Sequence, residues 1–382
     1  MIAGEASGDI LGADLIRALI RRFPDAQFEG IGGKLMQDAG LHSFFPLERL
    51  SVMGLWEPLK RLPEILRMAF FFKKRYKTAF KPDVFIGIDS PDFNLRLEKI
   101  LRSQGIKTVH YVGPTVWAWR KGRIKSIKKS VDLMLTLFPF ENKIYAQNAI
   151  AVTCVGHPLA DQIPLESDKA TAREILGLSA AAENKILALL PGSRQQELHY
   201  LAKPFLETAQ WLQTKIPNLR FITSCINEER KAQLQDILKN FPALNITLFV
   251  QNSRTVMAAS DAILVTSGTA ALEAMLIKRP TIVAYKMSAI GYQIAKRLIK
   301  IPYIALPNLL AEKEIMPEFI QDQVDPPLMG AKLLEYLNGS SQSEENVCTA
   351  EMIHRALKKN AGETAAQAIA ELINHTGVSV GR

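Results

Sequence analysis

Short runs of apolar, often β-branched residues alternate along this chain with longer stretches of helical period. In the first half the runs are DVFIGI (83–88), KTVHYV (107–112), VDLMLTLF (131–138) and AVTCV (151–155). Each carries few charges and is separated from the next by a length that suits a crossover helix, so buried parallel strands are predicted. Acids, lysines and alanines from Pro164 to Asn184 break the pattern. It resumes with ILALL (186–190), LRFITS (219–224), ITLFV (246–250), AILVT (262–266) and TIVAY (281–285). Two such series predict an α/β protein with two doubly wound parallel sheets facing each other across a cleft. The expected boundaries are 1–163 for the first domain and 164–347 for the second. A closing helical segment, 348–382, is left to pack on the first domain or on a partner subunit.

Length and composition agree: 382 residues exceed one ordinary core, and 48% apolar with 22% charged residues is a globular balance. Cys154, Cys225 and Cys348 are too far apart for a paired motif, which argues against zinc or a disulfide framework. No apolar run reaches a membrane-spanning length. Only three residues precede the turn at Gly4, so an upstream start or a clipped first strand is expected.

Charge changes the picture more. The net value is +9, and residues 59–81 alone hold eight Lys or Arg against one acid, Glu64. Basic charge around Met68 and Phe70-Phe71-Phe72 suits a helix dipping into an anionic bilayer surface. Leu59, Leu62, Ile65, Leu66 and Ala69 also repeat at the spacing of a core-packing face. Both roles are compatible, because three consecutive phenylalanines cannot all face one core. Met68, Phe70, Phe71, Phe72, Lys73, Lys74 and Arg75 are the expected membrane contacts.

Ligands of open α/β sheets bind beyond the carboxyl ends of the strands, where the informative residues of this chain fall. Gly4-Glu5-Ala6-Ser7-Gly8-Asp9 opens a helix; its glycines allow close approach, though the pattern is not the dinucleotide fingerprint. Ser7 or Asp9 reads equally well as a cap, whereas Glu5 points a carboxylate toward a cleft. In Asp89-Ser90-Pro91-Asp92, Ser90 reads as a helix cap and Asp92 as a first-turn acid. Asp89 ends the strand and is placed to take a proton from an attacking sugar hydroxyl. Trp117 and Trp119, next to Arg120, Lys121 and Arg123, suit sugar faces and phosphates or a core. The basic run from Arg120 to Lys129 comes without a nucleic-acid-binding module, so nucleic acid is not an expected partner.

In the second half, Gly192-Ser193-Arg194 turns from strand to helix, offering backbone N–H groups and a guanidinium to a diphosphate. Ser267-Gly268-Thr269 does the same, and Glu273 lies one turn further along the same helix face, where it suits a ribose. Together they describe a nucleoside-diphosphate site. His157 falls at the expected junction and reads as structural or cleft-lining.

These motifs, with AGEASGDILGADLIRAL, SVMG, KPDVFIGIDSPDFN, KTVHYVGPTVWAWR, VGHPLAD, LALLPGSR, SGTAALEAML and YIALPNLLA, resemble the lipid-A-disaccharide synthase family along nearly the whole chain. The resemblance implies a GT-B glycosyltransferase with two Rossmann-like domains, the first on the acceptor and membrane side and the second binding the UDP-sugar. The implied reaction moves 2,3-diacylglucosamine from UDP to the 6-hydroxyl of 2,3-diacylglucosamine 1-phosphate, with inversion and without metal or cofactor. Asp89 matches the family's general base. Glu5, Arg194, Glu273 and Asn308 match polar residues tied to activity or UDP binding. A dimer with exchanged C-terminal segments is implied as well. So is a cytoplasmic location at the inner face of the inner membrane. A UDP-N-acetylglucosamine 2-epimerase-like enzyme and a non-catalytic UDP-sugar or lipid-binding protein are the rival readings.

Overall fold

A computed structural model describes residues 1–50, 57–78, 80–116, 121–178, 185–298 and 301–374. The SVMG motif, Trp117, Trp119 and Arg120 lie outside the described residues, as do the side chains of Leu59, Leu62 and Lys121. The chain divides into two units: Met1–Asp161 with the chain from Leu357 onward, and Gln162–Ala356.

In the first unit the strands are β1 (Ile2–Ala3), β2 (Phe28–Ile31), β3 (Leu41–Phe45), β4 (Val84–Ile88), β5 (Lys107–Tyr111), β6 (Leu133–Thr136) and β7 (Val152–Cys154). They form one parallel sheet in the order β3-β2-β1-β4-β5-β6-β7. The second unit holds β8 (Ile186–Leu190), β9 (Arg220–Cys225), β10 (Ile246–Val250), β11 (Ala262–Thr266), β12 (Thr281–Tyr285) and β13 (Glu318–Ile320). Their order is β10-β9-β8-β11-β12-β13, again parallel. In each sheet the chain winds outward one way and then restarts beside its first strand. The two switch points therefore lie between β1 and β4 and between β8 and β11.

Among the helices are α1 (Ala6–Arg22), α2 (Glu57–Thr78), α3 (Pro91–Ser103), α4 (Gln195–Gln213), α5 (Ser253–Ala259), α6 (Thr269–Ile277), α7 (Ala289–Leu298), α8 (Ser341–Leu357) and α9 (Ala361–Asn374). Leu11, Leu15 and Leu19 of α1 repeat every fourth residue and enter the first core beside Ile88, Val109 and Leu135. Alanines 361, 365 and 366 and Ile369 of α9 join that core. Small side chains let the two helices approach closely: a Cβ on Gly362 would sit 2.3 Å from Asp14 Oδ2.

The helical period also sorts the basic aromatic segment. Met68, Phe72 and Tyr76 occupy successive turns of α2 and are buried against Phe85, Phe93 and Leu97. Met68 and Phe72 are therefore core residues and not surface contacts, which corrects the membrane reading for both. Arg75 is engaged too: its guanidinium donates twice to Glu29 and lies 4.6 Å from the Phe44 ring centroid. Leu66 and Phe70 are 55% and 65% exposed, and Phe71, Lys73 and Lys74 share the outer surface. Among the described residues no helix is long and apolar enough to cross a membrane.

Candidate active site

At the first switch point the loops after β1 and β4 touch. Gly4 has no room for a side chain, since a Cβ there would lie 1.6 Å from Ser90 Oγ. Glu5, at the N-cap position of α1, is exposed beside this contact. Asp89 and Ser90 both take the left-handed conformation, with φ of 54° and 44°. For residues other than glycine that costs on the order of 1–3 kcal/mol each, so something must hold it.

The holder is Asn94, fully buried on α3. Its side-chain amide donates to the carbonyl oxygens of Ile2, Ile88 and Asp89, at 3.2, 3.3 and 2.8 Å. The Asp89 N–H donates to Tyr111 O at 2.9 Å. Below them Glu98 and His110 are both fully buried, with Oε1 and Nδ1 2.7 Å apart. Burial holds the Glu98 carboxyl above its usual range against the opposing pull of His110. Ser90 occupies the N-cap position, but its side chain makes no capping bond, and Asp92 pairs with Arg123.

The second switch point opens into a cavity of about 530 Å³. Gly192, Ser193, Arg194, Ser267, Gly268, Thr269 and Glu273 all line it, so the structure brings these expected residues together. The two turns do different work, however. The N–H groups of Ser193 and Arg194 already donate to Glu197 Oε2, at 2.9 and 3.1 Å. This is a capping box at the start of α4, so the expected offer of these N–H groups to a diphosphate is corrected. Gly192 is required there, with φ of 125° and a would-be Cβ 2.4 Å from Glu197 Cβ. The Arg194 side chain still reaches outward, 73% exposed, although one amino group touches Glu197 Oε1 at 3.3 Å.

Gly268, by contrast, faces open space: a Cβ added there would meet nothing within 4 Å. Thr269 and Ala270 begin α6, where backbone N–H groups have no intrahelical acceptor. The Ser267 hydroxyl donates to Ile304 O at 3.2 Å, which fastens the turn from behind. Glu273 accepts from Arg254 Nε at 2.8 Å, and Arg254 in turn donates to Gln162.

Asn308 does not line the cavity. It is fully buried, donates to Met316 O and Glu318 Oε1, and accepts from the N–H groups of Ile315 and Met316. Glu318 also accepts from the N–H groups of Ile304 and Ala305. Asn308 thus secures the loop that secures Ser267. Glu197, Arg254, Glu318 and Asn94 are the site residues that motif reading missed. Only Glu197 carried a signal, an acid three residues after the start of a helix.

The VGHPLAD motif binds the returning chain. His157 N–H donates to Leu357 O, and the Asp161 carboxylate accepts from the N–H groups of Asn360 and Ala361. The His157 ring stacks on Phe138 and its Nδ1 accepts from Leu159 N–H, so it is a structural histidine. Elsewhere in the first unit a cavity of about 380 Å³ lies at the amino ends of β2 and β4. That is the other end of the strands from Asp89, and its lining is mainly apolar.

Comparison with known proteins adds chemistry to this geometry. A family model described as lipid-A-disaccharide synthetase matches residues 1–372. A lipid-A-disaccharide synthase of Saccharophagus degradans is 50% identical over 98% of this chain and 96% of its own length. One from Pseudomonas aeruginosa is 49% identical over 98% and 97%. Among solved structures, the UDP-GlcNAc 2-epimerase of Methanocaldococcus jannaschii, crystallised with UDP-GlcNAc and UDP, superposes with a TM-score of 0.55 at 13% identity. The match covers 96% of this chain and 97% of that one. At that identity the likeness shows the fold alone.

Proposed function

We propose a division of labour between the two units, starting from the fact that this chain belongs to the lipid-A-disaccharide synthase family. It is a glycosyltransferase of GT-B-like fold that joins two acylated glucosamines into the lipid A disaccharide, using a UDP-sugar donor and a glycosyl acceptor. Family membership sets aside the epimerase, whose likeness reaches only the fold, and the non-catalytic binder.

The second unit holds the donor's UDP. Arg194 and the amino end of α6 hold the diphosphate, and Glu273, steadied by Arg254, takes the ribose hydroxyls. The first unit supplies Asp89. Its carboxylate removes the proton from the acceptor's 6-hydroxyl as that oxygen attacks C1 of the donor sugar. The C1–O bond to the diphosphate breaks on the opposite face, UDP departs with the electron pair, and the configuration inverts. Positive groups preorganised around the leaving diphosphate stabilise its developing charge. The observation that supports this reading is the placement of both candidate groups at switch points, one in each sheet.

The exposed side of α2, with Leu66, Phe70, Phe71, Lys73 and Lys74, meets the anionic inner face of the inner membrane, where both lipid substrates reside. Two copies of the chain exchange their C-terminal segments.

Purified protein given both diacylated sugars should release UDP and form disaccharide. Asp89→Asn should lower turnover by roughly 10²–10⁴-fold while UDP still binds. Loss of UDP binding in that variant would instead make Asp89 a donor-site residue.

A further inference from the structure

Helix α7 carries an apolar stripe on its solvent side. Ile290, Ile294 and Leu298 lie one turn apart and are 77%, 55% and 60% exposed. None of the ten residues of α7 is buried. The residues nearest the protein are instead Gly291, Tyr292 and Ala295, which are half-buried. A helix that only needed to pack on its unit would turn the isoleucines inward.

Along the chain, the charge flanking the stripe has one sign. From residue 274 to 311 there is no Asp or Glu, while Lys278, Arg279, Lys286, Lys296, Arg297 and Lys300 fall in that span. Lys296 and Arg297 are exposed on α7 itself, and Arg297 borders Ile290 and Ile294 on the helix surface. Three aliphatic side chains fall well short of the roughly 800 Å² per partner that a stable protein interface buries. An amphipathic face with cations and without acids fits an anionic lipid surface.

We propose that α7 is a second membrane contact, through which the donor-binding unit lays Ile290, Ile294 and Leu298 into an anionic bilayer with Lys296 and Arg297 at the headgroups. It uses other residues than α2 and stands or falls separately.

The test uses the full chain and vesicles of phosphatidylglycerol with phosphatidylcholine, compared with phosphatidylcholine alone. The variant I290S/I294S/L298S should bind the anionic vesicles at least about fivefold more weakly. It should keep wild-type turnover on detergent-dispersed substrates, because none of the three residues lines the UDP cavity. The indole of an I294W variant should be quenched by bromine-labelled acyl chains, beyond the wild-type background, in anionic vesicles. It should stay quenched when the α2 patch is altered by F70S, provided vesicles are still bound. Unchanged binding with an unquenched indole overturns the proposal, even if F70S shows that α2 binds membrane. A change in sedimentation of the serine variant from dimer to monomer would also overturn it, by assigning the stripe to a second copy of the chain.

Discussion

If the cavity of the second unit holds the donor's UDP as proposed, the nucleotide must coexist with a carboxylate. Glu197 accepts from the N–H groups of Ser193 and Arg194, so in the proposed complex it competes with a phosphate oxygen for those donors. Glu197→Gln keeps an acceptor for the cap and removes the charge beside the diphosphate. Replacing a charged cap acceptor with a neutral one should cost about 1 kcal/mol of stability, visible as a lower melting temperature. UDP affinity should rise a few-fold at low salt and less at high salt, because the removed repulsion is Coulombic. Calorimetry that showed weaker UDP binding would mean Glu197 instead preorganises Arg194. At Asp89, in the first unit, the backbone strain is held by Asn94, whose three carbonyl partners come from three different residues. Motif reading picks out Asp89 from its place at a strand end. Asn94 escapes it because a polar residue on an amphipathic helix carries no mark that it points inward.

Elements are legible in the sequence where they are buried on both faces. The ILALL run and the AILVT run, apolar but for its closing Thr266, are central strands beside the second switch point. Strands β2, β3 and β13 do not stand out in the pattern, and the reason is physical. FEGI, LHSFF and EFI are short and carry charged or polar residues, and β3 and β13 are sheet edges that need not be apolar on both faces. Helix α2 teaches the reverse lesson, since the phenylalanine run divides by helical period into buried Phe72 and exposed Phe70. The remaining surface predicts that K73E/K74E, joined to F70S, weakens binding to anionic vesicles by at least about tenfold, chiefly at low salt. Equal binding across salt would reduce α2 to a packing helix. The VGHPLAD segment offers a pH test. Burial of the His157 ring pulls its pKa from 6.5 to about 4, so the fold favours the neutral imidazole. Its contribution is intact above pH 6.5 and is lost as pH falls toward 4, by up to about 3 kcal/mol. His157→Gln should therefore flatten the decline of the melting temperature between about pH 6.5 and 5. An unchanged slope would place that decline on other groups.

At the scale of the whole molecule, the chain leaves its first unit at Asp161 and returns at Leu357. The return is fixed by contacts whose partners are far apart in sequence. Asp161 caps the start of α9, Glu363 pairs with Arg21 and Arg22, and the alanine face of α9 fills the first core. Such contacts are indifferent to which copy of the chain supplies α9, because a segment exchanged between identical chains makes the same bonds in its partner. The exchange proposed above therefore needs a measurement that reads connectivity rather than contact. Asp14 and Gly362 supply it, since a Cβ at 362 would lie 2.3 Å from the Asp14 carboxylate. In a D14C/G362C chain with exposed Cys348 replaced by serine, mild oxidation should join the two introduced thiols. Cys154 and Cys225 are buried and should stay out of the reaction. If α9 is exchanged, the bond links two chains, and a non-reducing denaturing gel shows a covalent dimer that reductant collapses to monomer. If α9 docks on its own chain, the oxidised protein runs as a compact monomer at every concentration, and the exchange is wrong. Protein concentration during assembly separates the two further, because an exchanged dimer must form between chains and an internal link need not.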